Sequence, residues 1–394
     1  MMKHMKVMPL AAVISAVMSA QSVAGELDPA HVDLGGGVKM TPKLELKQTR
    51  NDNIYLTSDN EVYSGITTAK PSVSVWAEKG NSKYNVDFSL NGISYNNAHN
   101  NDSLDWELAA GVKQEFNSRN RLDLNLSAGT YTEYRTFAEQ EEIPEYDGAK
   151  ADVTYGFGAK SAKLNFDIYG RYNSKDYNED AESKDATSSS VGGIVYFGVA
   201  PKTKALLELR KSTMEYDNVE GSDFDLDTTL VGVTWESTAK TTGFVKVGIQ
   251  DQDRDAGDSS DSEAWEVGVT WEPQTYSVFQ LSTDRGYELE TRSGEFSEYA
   301  KVGLSWLHAW TVKWETNLSI GYTDEDLNDE FGVLQVSRET SDASAVVSFL
   351  SSRWSKISAG VKSADRTAEE GARAVNSTDE YKRTEIFVGV ELSM

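Results

Sequence analysis

The 394-residue sequence predicts an all-β protein, a closed antiparallel transmembrane β-barrel of about 18 strands, and three observations carry that prediction. Apolar and polar residues alternate along nearly the whole chain, the mark of strands with one oily face. Tight turns and long polar connections alternate between those strands, as they do in outer-membrane barrels with short periplasmic turns and longer outer loops. Beyond the first residues no apolar run approaches the roughly 20 that a membrane helix needs, and mean hydropathy is −0.50. Only strands could take this chain across a bilayer.

Residues 1–24 read as a cleavable signal: Lys3 and Lys6, an apolar stretch from Val7 to about Ala20, then Ser22-Val23-Ala24 with small residues where a signal peptidase cuts. The mature barrel is expected over 25–394. Tyr84-Val86-Phe88-Leu90, Leu122-Leu124-Leu126, Leu164-Phe166-Ile168, Val245-Val247-Ile249, Trp265-Val267-Val269-Trp271, Val302-Leu304-Trp306, Leu318-Ile320-Tyr322, Ile357-Ala359-Val361 and Ile386-Val388-Val390-Leu392 supply oily faces in turn. Tight turns are expected at 78–82, 117–120, 159–162, 200–203, 237–241, 272–275, 307–310 and 351–354. Long loops are expected at 51–64, 96–102, 136–148, 174–185, 217–223, 251–263, 287–298, 323–331 and 364–380. Eight turns and nine loops give 18 strands with both termini on the tight-turn side; 16 is the alternative. Trp76, Trp235, Trp271, Trp306, Trp310 and Trp354 fall beside the tight turns, where an aromatic girdle meets the membrane interface.

Charge narrows the function classes. Asp and Glu number 63 against 38 Lys and Arg, for a net charge of −25, whereas nucleic-acid binding runs on Lys and Arg contacts to phosphate. The absence of cysteine removes disulfide scaffolds and thiolate metal sites. Alternation places Lys83, Lys113, Arg121, Lys163, Arg171, Arg210, Lys246, Lys301, Lys313, Lys356 and Lys362 on the inward face, beside Asp87, Glu107, Asp123, Asp167, Glu208, Glu266 and Glu315. This wall leans basic and is the candidate contact surface for a permeant, with Lys83, Arg121, Lys163, Arg171, Arg210, Lys246, Lys301, Lys313 and Lys362 as its bases. The alternative is that cross-strand ion pairs fill and stiffen the lumen.

The loop acids form dense groups, such as Asp251-Gln252-Asp253-Arg254-Asp255. That run opens like a calcium-binding EF-hand loop, but the glycine comes late at Gly257 and position twelve is Ser262, so a solvated loop is expected and no metal site. His31, His99 and His308 are too scattered to orient a serine, so no enzyme and no cofactor is expected.

Gly37-Val-Lys-Met-Thr-Pro42-Lys-Leu-Glu-Leu46, then Asn51-Asp52-Asn53-Ile54-Tyr55 and a Pro71-containing strand, resemble the opening of the putative beta-barrel porin 2 family, although Asn51 stands where its first acid usually falls. The resemblance implies a Gram-negative outer-membrane barrel often associated with capsular or exopolysaccharide production. Its expected partners are outer-membrane lipid and lipopolysaccharide, the barrel assembly machinery and periplasmic polysaccharide export proteins. The functional expectation is therefore a conduit for polysaccharide export, with a sugar-uptake or general porin second and a plugged structural or adhesive barrel third. The final residue, Met394, stands where barrels usually place an aromatic.

Overall fold

The structure, a computed structural model, describes residues 27, 31–133, 144–219, 221–238, 240–255, 259–288, 295–329 and 333–394. The expected signal segment and most of the 136–148 connection, with Glu139, Glu141 and Glu142, lie outside the described residues. A short strand, β1 (Val32–Gly35), precedes β2 (Val38–Asn51), β3 (Ser64–Lys79), β4 (Ser82–Tyr95), β5 (Ser103–Asn117), β6 (Asn120–Thr132) and β7 (Glu145–Phe157). Then come β8 (Leu164–Tyr177), β9 (Ala186–Ala200), β10 (Thr203–Tyr216), β11 (Phe224–Thr238), β12 (Thr241–Arg254) and β13 (Ser260–Gln274). The ring finishes with β14 (Ser277–Tyr287), β15 (Glu295–Ala309), β16 (Trp314–Asp329), β17 (Leu334–Ser352), β18 (Ser355–Glu370) and β19 (Tyr381–Ser393).

Each long strand pairs antiparallel with its sequence neighbours, and β19 returns to β2 from Glu385 opposite Asn51 to Ser393 opposite Lys43. β2 to β19 thus make one closed ring of 18 strands. Closure is what lipid demands, because an open edge would leave backbone N–H and C=O groups without partners.

The period of two then sorts every side chain to one of two solvents. On β12, Val245, Val247 and Ile249 face outward against Val231 and Val233 of β11 and Trp265, Val267 and Val269 of β13, while Lys246 and Gln250 face inward. Ile249 is 50% exposed and Lys246 is 1% exposed, the reverse of a soluble core. The outward apolar surface is the lipid face.

The sequence pattern does not predict β1. Gly35, Gly36 and Gly37 all take left-handed φ angles, +88°, +64° and +85°, which only glycine adopts without strain, and they fold Val32–Gly35 back onto β2. The Met394 N–H donates to the Pro42 carbonyl at 3.1 Å, and β1 pairs with Lys39 and Met40 just beyond. β1 therefore covers the part of the β2 edge that β19 is too short to reach.

Tight turns and both ends of the ring share one rim, as the sequence predicts. The other rim departs from it. β12 and β13 continue to Arg254 and from Ser260, β16 continues to Asp329, and β18 continues to Glu370, so the expected loops 251–263 and 323–331 are largely strand and 364–380 shortens to the connection 371–380. Above the bilayer both faces of a hairpin meet water, so its residues are polar on both sides and read as loop although pairing persists. Trp76 is a second correction: it is paired with Lys39 and Asn85 on the inward face of β3, and its indole donates to Thr41 Oγ1 at 3.3 Å. Trp235, Trp271 and Trp306 do face outward, with Trp310 and Trp354 in the turns, and Trp106 and Trp265 add outward aromatics toward the opposite rim.

Candidate functional site: the lumen wall

Strand parity carries Lys83, Arg121, Arg171, Arg210, Lys246, Lys301 and Lys362 to the inner wall. Two expected members fall elsewhere. Lys163 precedes β8 in the turn, and its Nζ lies 5.1 Å from the centre of the outward Phe197 ring. Lys313 sits exposed in the tight turn before β16, its N–H donating to Thr311 Oγ1. Alternation fails at both because a turn breaks the pleat that enforces it.

From β8 to β13 the wall is a packed polar layer. Lys246 Nζ contacts Glu208 and lies 2.9 Å from Glu266 Oε2, while Arg210 lies 3.1 Å from Glu266 Oε1 and 3.4 Å from Glu208 Oε1. Tyr169 donates its hydroxyl to the same Glu208. Glycine makes the layer possible: a Cβ on Gly232, inward between Leu206 and Lys246, would stand 2.2 Å from the Val245 carbonyl oxygen. Pairing extends beyond this layer to other strands of the ring. Lys83 contacts Glu78, Arg121 contacts Asp167, Arg171 reaches Asp152 at 3.7 Å, and Lys301 reaches Glu288 at 3.6 Å. Six of the nine expected permeant-contact bases are thus ion-paired, which favours the stiffening role for them.

The seam from β18 to β3 differs. Lys47, Lys70 and Lys362 point into the lumen and form no ion pair among the described residues, and the half-exposed Phe387 ring sits between Lys47 and Lys362 at 5.9 and 6.0 Å. The alternation of β2 and β19 carries the signal for Lys47 and Phe387, and strand parity on β3 that for Lys70, yet of this group the sequence reading names Lys362 alone.

The rim opposite the tight turns is narrowed by connections that fold inward. Ile54 and Tyr55 pack on the inward Ile66, Ile93 and Tyr95. Asp379, fully buried, joins the 371–380 connection to the inward Arg338 at 2.5 Å and to Arg373 at 2.6 Å. The Ser58 N–H donates to the Ser377 carbonyl, tying the two connections together. Burial alone would raise the Asp379 pKa, but hydrogen bonds from Arg373 and Arg338 outweigh it and hold the carboxyl well below the usual carboxylate range. Three acids at the ends of expected long loops are backbone acceptors. Asp102, Asp185 and Asp223 accept the N–H of the buried inward Tyr95, Tyr177 and Tyr216 at 2.6 to 2.7 Å, a repeated clasp of an upstream Tyr and an Asp seven or eight residues on. His308 faces the bilayer, its ring 4.4 Å from Trp310 and 5.2 Å from Trp306.

Among solved structures, the outer-membrane protein OpdK of Pseudomonas aeruginosa superposes with a TM-score of 0.51 at 9% identity, covering 90% of this chain and 99% of that one. The same protein solved with vanillate gives 0.51 at 10% identity, over 90% and 99% of the two chains. At such identity the likeness establishes the barrel fold. No curated protein matches the chain. The family description "Putative beta-barrel porin 2" matches residues 35–394, which is the whole ring together with the end of β1. An 18-strand closed ring, an oily outer face, a polar wall and that match lead to one conclusion: the chain belongs to the putative beta-barrel porin 2 family of outer-membrane β-barrels.

Proposed function

We propose that the protein is a passive outer-membrane channel for uptake of small polar solutes. The observation that carries this reading is the narrowed mouth: Ile54, Tyr55 and Asp379 bring two connections onto the inner wall, leaving an 18-strand ring with a polar lining and a constricted entrance. Rings of this size hold water inside, and a constriction built from folded connections screens solutes by size and charge. Among the similar barrels, OpdK is solved together with vanillate, which is consistent with a small solute here.

Export of capsular or exopolysaccharide is the second reading. It is favoured by an inward ladder of hydroxyls, in which Ser319 meets Ser344 at 2.7 Å and Ser348 meets Ser358 at 2.9 Å, a surface suited to sliding hydroxyl-rich chains. No catalytic step is assigned to either reading. One experiment separates them: delete the gene and measure surface polysaccharide alongside uptake of small solutes. Slower uptake with unchanged polymer is the expected result, and lost polymer with unchanged uptake overturns it.

A further inference from the structure

We propose that the seam wall, where the last strand closes on the first, holds a binding site for a small carboxylate carried on a flat ring, formed by Lys362, Lys47 and Lys70 around Phe387. This deepens the uptake reading and rests on it.

Much of the wall charge is already satisfied. On β8 to β13 the bases and carboxylates of Lys246, Arg210, Glu208 and Glu266 neutralise one another and exclude water, so they have little left for a passing solute. The seam inverts that balance. Inward from β18 to β3 basic side chains outnumber carboxylates, and between the rims the carboxylates are Glu45, Glu385 and Glu391. Glu391 is held by Lys43 at 2.7 Å and Lys356 at 3.2 Å, and Glu385 accepts from Asn51 at 3.1 Å. Glu45 stands across from Lys70 in register without an ion pair to it. Lys47 and Lys362 are left with the face of Phe387 as their contact.

The geometry is a descending diagonal. Lys362 lies opposite Glu385, one inward position above Phe387 on β19; Lys47 lies opposite Gly389, one inward position below; Lys70 lies on the next strand opposite Glu45. Phe387 is seated by Gly360, where a Cβ would stand 2.8 Å from its ring, so the ring occupies a notch in β18. An ammonium on each side of an accessible ring suits a ligand that presents a carboxylate to the cations and a flat face to the ring. Because the wall is low in dielectric, these charges are screened less than the carboxylates on the outer rim.

The test uses the full-length barrel in planar bilayers, with benzoate, glucuronate, acetate and benzyl alcohol as probes, and heat-modifiable migration to verify that each variant is folded. The wild type is expected to prefer anions, with benzoate and glucuronate interrupting the current at lower concentration than acetate and benzyl alcohol not interrupting it. Benzoate acting far below glucuronate points to aromatic acids, and the reverse order to sugar acids. Lys47→Gln with Lys362→Gln should raise the blocking concentration about tenfold, while Lys47→Arg with Lys362→Arg should keep it low. Phe387→Leu should abolish the advantage of the ring acids over acetate. Lys382→Gln, on the outer face beside Asp365, should change nothing. An open, folded Lys47→Gln/Lys362→Gln barrel with wild-type anion preference overturns the site and leaves the channel standing; a folded wild type that conducts nothing overturns both.

Discussion

Lys246 stands on the wall of a wide barrel yet is 1% exposed, because Glu208 and Glu266 close over it and Arg210 completes a set of two positive and two negative charges. Removing one charge should therefore cost more than removing a matched pair. Lys246→Met is expected to destabilise the barrel by about 3 kcal/mol, seen as a lower temperature for the heat-modifiable gel shift. Lys246→Met with Glu208→Leu should recover part of that loss, since Arg210 and Glu266 remain as a neutral pair. Asp379 gives a pH dependence with a definite sign. Its folded pKa is depressed below an unfolded value of about 3.9, so its stabilisation is fully present above that value and is lost as pH falls below it. The 371–380 connection should stay latched at pH 5 and above, weaken progressively below about pH 4, and become fully protease-sensitive only as the pH approaches the depressed folded value. Asp379→Asn should unlatch it at every pH and raise conductance.

Among the elements, the connection after β2 does more than join two strands. The Asn53 Nδ2 donates to the Thr57 carbonyl at 2.7 Å and to the Lys382 carbonyl at 2.9 Å, while Asp52 Oδ1 accepts the Thr384 N–H at 2.6 Å. The Asn51-Asp52-Asn53 run thus clasps the seam at the rim where β19 begins, and β1 covers β2 at the rim where β19 ends. Asn53→Ala removes a fully buried side chain and its bonds to the Thr57 and Lys382 carbonyls and should cost about 1–3 kcal/mol, read as faster hydrogen exchange over residues 52–57. The Tyr–Asp clasps are separate units. Asp223→Ala should free the Tyr216 N–H and make the 217–223 connection cleavable by added protease, with the barrel itself unaffected.

For the whole molecule, the decisive property is the inversion of faces. Val247 is 51% exposed at the middle of an oily belt, so Val247→Arg is expected to cost about 2–4 kcal/mol of membrane stability. Ser319→Arg, on the inward face opposite Ser344, should be tolerated and shift conductance instead. The pair of variants, compared by urea unfolding in lipid, checks both the strand parity and the membrane assignment.

The chain by itself pointed to 18 strands in the ring, with 16 as the alternative, and to their direction, which rim holds both ends and which face of each strand meets lipid, while β1 lay outside its pattern. It could do so because these depend on period-two patterning and turn chemistry, which are local. Val245-Lys246-Val247 already contains the inward lysine. Whether that lysine is spent or available depends on Glu208 and Glu266, 38 and 20 residues away, and register across three hairpins is not local. For the same reason alternation ranked Arg210, Lys246 and Lys362 alike, and the tertiary structure separated them: the first two are neutralised by Glu208 on β10 and Glu266 on β13, whereas Lys362 faces Phe387 beside the one strand pair that closes the ring. Lys163 and Lys313 left the wall, and rim acids became backbone acceptors, for one physical cause. At strand ends the pleat stops dictating direction, and packing against distant partners decides.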